Sequence, residues 1–110
     1  MKTLKFSGNL LRSIITGKKT TTWRINDEKN ITEGETISLI NKNTMKEFVK
    51  AEVVSIRETT FEKINESDRN GHEKFRSDKE MYEIYSNYYK IKVTPKTKLK
   101  VIKFKITEKI

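Results

Sequence analysis

The chain contains no cysteine, and its 110 residues include one proline, four glycines and one histidine. Without cysteine there can be no disulfide framework, thiolate metal site or cysteine nucleophile, and the usage is compatible with a reducing compartment. One histidine, His72, cannot make the two- or three-ligand cluster that zinc needs. No nucleophile-elbow motif supports pairing it with a serine and a carboxylate for hydrolysis. The glycines are isolated, so neither a Walker nor a dinucleotide-binding pattern is present. No apolar run approaches bilayer length. The opening "MKTLKFSGNLLRSIITG" lacks the unbroken apolar centre and small-residue end of a signal peptide. These absences lead us to expect a cytoplasmic protein with no membrane partner. There is no internal repeat, low-complexity tract or linker, so residues 1–110 read as one domain, expected to act as a monomer.

Charge is abundant and uneven. The formal net charge is +9. Residues 1–24 hold six basic residues and no acid, and residues 90–110 hold eight lysines and one acid. The middle, residues 25–89, has ten basic and fourteen acidic side chains. If the two ends meet in the fold they form a basic face, for which a polyanion such as RNA is the natural partner. A lysine-rich surface kept for solubility accounts for the same composition.

Apolar periodicity gives the elements. "MKTLKFS" reads as a strand, and Ser7 can cap a helix through "GNLLRSIIT" that Gly17 ends. "KTTTWRI" and "TISLINK" read as strands, and "KEFVKAEVVSIRETT" as a long one whose mixed pattern implies a bend or bulge. A short helix is predicted over "FEKINESD", followed by the loop "RNGHEKFR". Ser77-Asp78-Lys79-Glu80 has capping-box form and opens the clearest helix, with Met81, Ile84, Tyr85 and Tyr88 as its core-facing stripe. After an extended "YKIKVTP", the closing strand "KLKVIKFKI" alternates, with Ile102, Phe104 and Ile106 inward and Leu99 and Val101 adding apolar weight to the other face. The order predicts an α+β fold, a small and mostly antiparallel barrel with helices flanking or plugging it.

One stretch is chemically dense. "GKKTTTWR" places Lys18, Lys19, three threonines, the single tryptophan and Arg24 within eight residues. Lysine offers a point charge and arginine a planar fork for an anion. A hydroxyl beside a desolvated lysine can become a nucleophile, because burial lowers the lysine pKa and lets it accept the hydroxyl proton. Ordinary strand filler is the competing reading. In a regular strand Lys18, Thr20, Thr22 and Arg24 share one face, and Lys19, Thr21 and Trp23 the other.

"LLRSIITGKKTTTWRI" followed by "ITEGETISLIN" resembles the ASCH domain, a PUA-like barrel marked by an apolar helix, G-[KR]-K-T-x-T-x-R and an apolar-x-x-Gly-[Asp/Glu] turn. The likeness continues through "AEVVSI", "NGHEKFRSDKEMYEIYSNYY" and "VIKFKI". The resemblance implies a cleft that binds RNA or a nucleoside-like ligand. A bacterial branch of similar length resembles amidohydrolases that remove the acetyl group from N4-acetylcytidine, without a metal or other cofactor. In that branch a lysine acts as base, the second threonine as nucleophile and a downstream glutamate as proton donor. Carried onto this chain these are Lys19, Thr22 and, as the expected acid, Glu73, with Lys18, Arg24 and Asn70 as ligand-binding residues. The family's acidic position, just before the loop glycine, here holds Asn70, which can hydrogen-bond but cannot act as an acid; Glu66 is the other available carboxylate. Lys19 and Thr22 can converge only if Lys19 lies in the turn ahead of the strand or at a bulge.

Overall fold

The β-branched and alternating runs pair into one mixed sheet. The computed structural model describes residues 1–27 and 29–109. Its strands are β1 (Thr3–Phe6), β2 (Thr21–Arg24), β3 (Thr36–Asn41), β4 (Lys46–Thr60) and β5 (Lys98–Lys109). Their order across the sheet is β1-β3-β4-β5-β2. Only β1 and β3 run parallel; the other pairs are antiparallel. The sheet curls into a half-barrel of α+β class, as the sequence predicts. Register shifts between Lys50 and Ala51 and between Val53 and Ser55 are the irregularity read from the mixed pattern of β4.

The strong alternation of β5 covers both faces of the sheet. Ile102 and Phe104 join Leu4, Ile14, Ile37 and Leu39 in one buried cluster. Leu99 and Val101, on the opposite face, join Trp23, Phe61 and Met81 in a second. The charged ends of the chain do meet, because β2 pairs with β5 over Thr21–Arg24.

The helices are short. A 3-10 turn at Gly8–Leu10 leads into α1 (Leu11–Ile15), and a second at Phe61–Lys63 precedes α2 (Glu66–Arg69). The cap expected from the Ser7 side chain does not form. Asn43 Oδ1 takes its place and accepts from the Gly8 N–H at 2.7 Å. The third helix, α3 (Asp78–Tyr89), begins as predicted, with Ser77 Oγ accepting from the Glu80 N–H at 3.1 Å. The Glu80 carboxylate then accepts from the Arg76 N–H, so only half of the expected box is made. Its core stripe also differs from expectation. Met81, Tyr82, Tyr85 and Tyr89 pack inward, while Ile84 and Tyr88 are exposed. The helix rotates so that two apolar side chains face a cleft instead of the core. Among the described residues no helix is long and apolar enough to cross a membrane.

A capping box in α2 escaped the sequence reading. Asn65 Oδ1 accepts from the Asp68 N–H at 2.8 Å, and Asp68 Oδ2 accepts from the Asn65 N–H at 3.0 Å. Arg57 also grips Asp68, at 3.0 and 2.5 Å, and its hydrogen bond holds the buried Asp68 carboxyl below the usual range. Replacing Asn65 with alanine should cost about 1 kcal/mol, which lowers Tm by about 4–8 °C in a domain of this size. A thermal melt checks this, and an unchanged Tm contradicts it.

Candidate functional site

Gly17 ends α1 with a φ of 81°, and the Lys19 N–H then donates back to Ser13 O at 2.9 Å. Lys19 therefore lies in the turn ahead of β2, which starts at Thr21. Strand alternation does not govern it, and the condition for Lys19 and Thr22 to share a site is met. The Lys19 side chain is 4% exposed. Its Nζ donates to Thr21 O at 2.7 Å and forms an ion pair with the Glu73 carboxylate.

Glu73 reaches this position because its loop lies directly on the start of β2. Gly71 O accepts from the Thr20 and Thr21 N–H groups at 2.9 and 3.2 Å, and Thr21 Oγ1 donates to Asn70 O at 2.6 Å. A Cβ on Gly71 would sit 2.0 Å from Thr20 Oγ1, and the residue's φ is 79°. Only glycine permits both that backbone and that approach. From the other side, Trp23 Nε1 donates to Asp68 O at 3.0 Å, so α2 and the loop are both tied to β2.

These groups stand at one wall of a cleft of about 360 Å³. It opens between the two edge strands, with Lys5, Phe6 and Ser7 on the β1 side and Thr22 and Arg24 on the β2 side. His72, Phe75 and the exposed face of α3 at Ile84 and Tyr88 complete it. Arg24 spans the mouth. Its Nε donates to Thr22 Oγ1 at 3.0 Å, its Nη2 donates to Lys5 O at 2.9 Å, and the guanidinium lies 4.7 Å from the Phe6 ring centre. The Thr22 oxygen is thus held as an acceptor, leaving its proton for another partner.

Burial depresses the Lys19 pKa below 10.5, and the nearby Glu73 charge offsets this only in part. For Glu73, burial works upward, but the Lys19 charge and hydrogen bond act against it and the carboxyl stays below 4.5. The result is a desolvated ammonium and a carboxylate in contact.

Of the residues expected at the site, Lys19, Thr22, Glu73 and Arg24 all line the cleft. Lys18 is exposed and lies outside the lining, as do Asn70 and Glu66. Asn70 contributes only its main-chain oxygen, to Thr21. No local pattern marks the aromatic wall as a unit: Phe6, the His72–Phe75 loop and the outward turn of α3 come from three separate segments. The i, i+4 spacing of Ile84 and Tyr88 was visible but was assigned to the core. No three of the described histidines, aspartates or glutamates come together as a metal site.

No protein-family model matches the chain, and no curated protein does. Solved structures do match. A DUF984 protein from Enterococcus faecalis superposes with a TM-score of 0.76 at 14% identity, covering 93% of this chain and 72% of that one. The ASCH domain of a Lactobacillus crispatus protein gives 0.66 at 16% identity, covering 86% of this chain and 68% of that one. A variant of an ASCH protein from Zymomonas mobilis gives 0.66 at 17% identity, over 98% of this chain and 71% of that one. The chain folds as an ASCH domain. Within that fold, the ASCH-like "GKKTTTWR" supplies one wall of the cleft and the Gly71 loop supplies the next.

The Gly71 approach gives a direct test. Both Gly34→Ala and Gly71→Ala place a side chain at a left-handed φ, a cost of about 1–2 kcal/mol, but only Gly71 has a neighbour within 4 Å. Gly71→Ala should therefore lower Tm well beyond Gly34→Ala. Equal losses would mean that the loop does not press on β2.

Proposed function

We propose that the cleft binds a nucleoside-like ligand bearing an N-acyl group and releases the acyl group by amide hydrolysis. The supporting observation is that the Lys19–Glu73 ion pair and Thr22 line the same cleft, which is walled by aromatic rings. Glu73 supplies the carboxyl function that Asn70 cannot.

The chemistry runs through the proton shared by this pair. With that proton on Glu73, Lys19 is a neutral amine and Glu73 a carboxylic acid, so one contact provides both base and acid. Lys19 Nζ turns from Thr21 O toward Thr22 Oγ1, which lines the same cleft, and takes its proton. Thr22 Oγ1 attacks the acyl carbonyl, and Glu73 protonates the departing exocyclic amine of the base as the C–N bond breaks. Water, deprotonated by the Glu73 carboxylate, then attacks the acyl-threonine, and Lys19 returns the proton to Thr22. The net change is amide plus water to amine plus carboxylic acid. Arg24, donating to Thr22 Oγ1, stabilises negative charge as it develops there.

Incubation with N4-acetylcytidine, with cytidine release followed by chromatography, should show turnover. Lys19→Ala, Thr22→Ala and Glu73→Gln should each lower it by about 100-fold or more. No turnover by the parent, or variants that match it, would sink the proposal. Because the reactive pair shares one proton, kcat/KM should be bell-shaped in pH, rising as Glu73 ionises below 4.5 and falling as the pair loses its proton at a Lys19 midpoint below 10.5.

A second reading, RNA binding, draws on the junction of the basic chain ends. A second cavity of about 480 Å³ is bordered by Arg24, Arg57, Lys63, Lys98 and Lys100, with Asp27 and Glu58 as its two acids. RNA affinity should then fall steeply with salt, and Lys98→Gln with Lys100→Gln should reduce the log–log slope by about 2. Salt-independent affinity would contradict this reading.

A further inference from the structure

His72 is a buried titratable group that the reaction above does not use. Its side chain is 3% exposed. The ring stacks on Trp23, with centres 3.9 Å apart and planes 18° from parallel. Both ring nitrogens are engaged: Nδ1 lies 2.9 Å from the Glu73 main-chain oxygen, and Nε2 lies 3.0 Å from the Tyr85 hydroxyl.

One of these contacts fixes the tautomer. A carbonyl oxygen can only accept, so Nδ1 must carry the proton. In a neutral ring Nε2 then bears the lone pair, and Tyr85 donates to it. A second ring proton is opposed from several sides. Burial, then the Lys19 charge ahead of β2 and Arg69 from α2, depress the pKa from 6.5 to about 4, against the attraction of Glu73. Tyr85, facing Nε2 from α3, is itself held protonated by burial.

We infer that His72 is a positioning residue: locked as the neutral Nδ1–H tautomer between Tyr85 and the Glu73 main chain, it holds the Glu73 carboxylate against Lys19. The stack on Trp23 and the bond to Tyr85 fix the ring, and the ring fixes the carbonyl of the residue whose side chain makes the ion pair. It also keeps a third charge out of the pair. The consequence for turnover rests on the amidohydrolase reading; the consequence for Glu73 does not.

The chain's single histidine makes the test clean. In the full chain labelled with ¹⁵N at histidine, NMR between pH 8 and 5 should show Nδ1 with a bound proton and Nε2 without one. An Nε2–H tautomer, or an imidazolium at pH 6, would overturn the inference. The ¹³C titration of the Glu73 carboxyl should have a low midpoint in the parent. It should move up toward the ordinary value in His72→Ala and return in His72→Asn, whose amide can replace the Nδ1–H donor. One midpoint shared by all three would also overturn it, and if His72→Ala does not fold, the parent tautomer decides. Where acetylcytidine is turned over, His72→Ala should lower kcat by about 10- to 100-fold with KM little changed. If the parent turns over none, the amidohydrolase reading fails while the Glu73 midpoint still decides the role of His72.

Discussion

The Gly71 carbonyl accepts two main-chain hydrogen bonds from the start of β2, and much of the site depends on that contact. It joins two segments about fifty residues apart in sequence with no side chain between them. Lys19 approaches from one segment and Glu73 from the other, so their ion pair is possible only while the contact holds. The surrounding bonds reinforce it: Thr21 Oγ1 to Asn70 O, and Trp23 Nε1 to Asp68 O. Asp68 is in turn fixed by Arg57 from β4, which couples the site loop to the central sheet.

Electrostatics then gives the site its character. A lysine this well buried loses most of its hydration, and a single carboxylate returns only part of it, so the ammonium is easier to deprotonate than a surface lysine. Glu73 is the more exposed member of the pair and stays ionised beside that charge. Such a pair is a costly way to stabilise a fold, since replacing buried ions with apolar side chains is often neutral or better. Under the proposed function, its placement against an open cleft gives it a chemical role. Arg24 gives the cleft its second cation, spread over Thr22, Lys5 and the Phe6 ring.

Much of the frame was legible in the sequence because it follows from local pattern. The period-two run of β5 separated Leu99 and Val101 from Ile102 and Phe104, and those sets do fill opposite cores. The irregular β4 pattern announced its bulges, and the apolar helix, glycine and lysine–threonine run marked one wall of the cleft. The turn that frees Lys19 from strand alternation enters only as a condition, since the helix-end bond from its N–H to Ser13 O that sets it leaves no mark in the apolar pattern. The remainder depends on contacts between segments far apart in sequence. A lone histidine carries no periodicity, and its stack on Trp23 is a tertiary event. The α3 stripe failed because apolar residues cover more of that helix than the core needs, so Ile84 and Tyr88 were free to face the cleft. Ser7 lost its capping role to Asn43, which lies thirty-five residues from the Gly8 N–H that it caps.

The claim on which the rest turns is that Lys19 is a buried ammonium held by Glu73. Direct ¹⁵N NMR titration of the Lys19 side chain, in the parent and in Glu73→Gln, tests it most directly. The account predicts a midpoint below that of the surface lysines in the parent, and a further fall in Glu73→Gln, because removing the carboxylate leaves desolvation unopposed. A Lys19 that titrates with the surface lysines and does not respond to Glu73→Gln would contradict it.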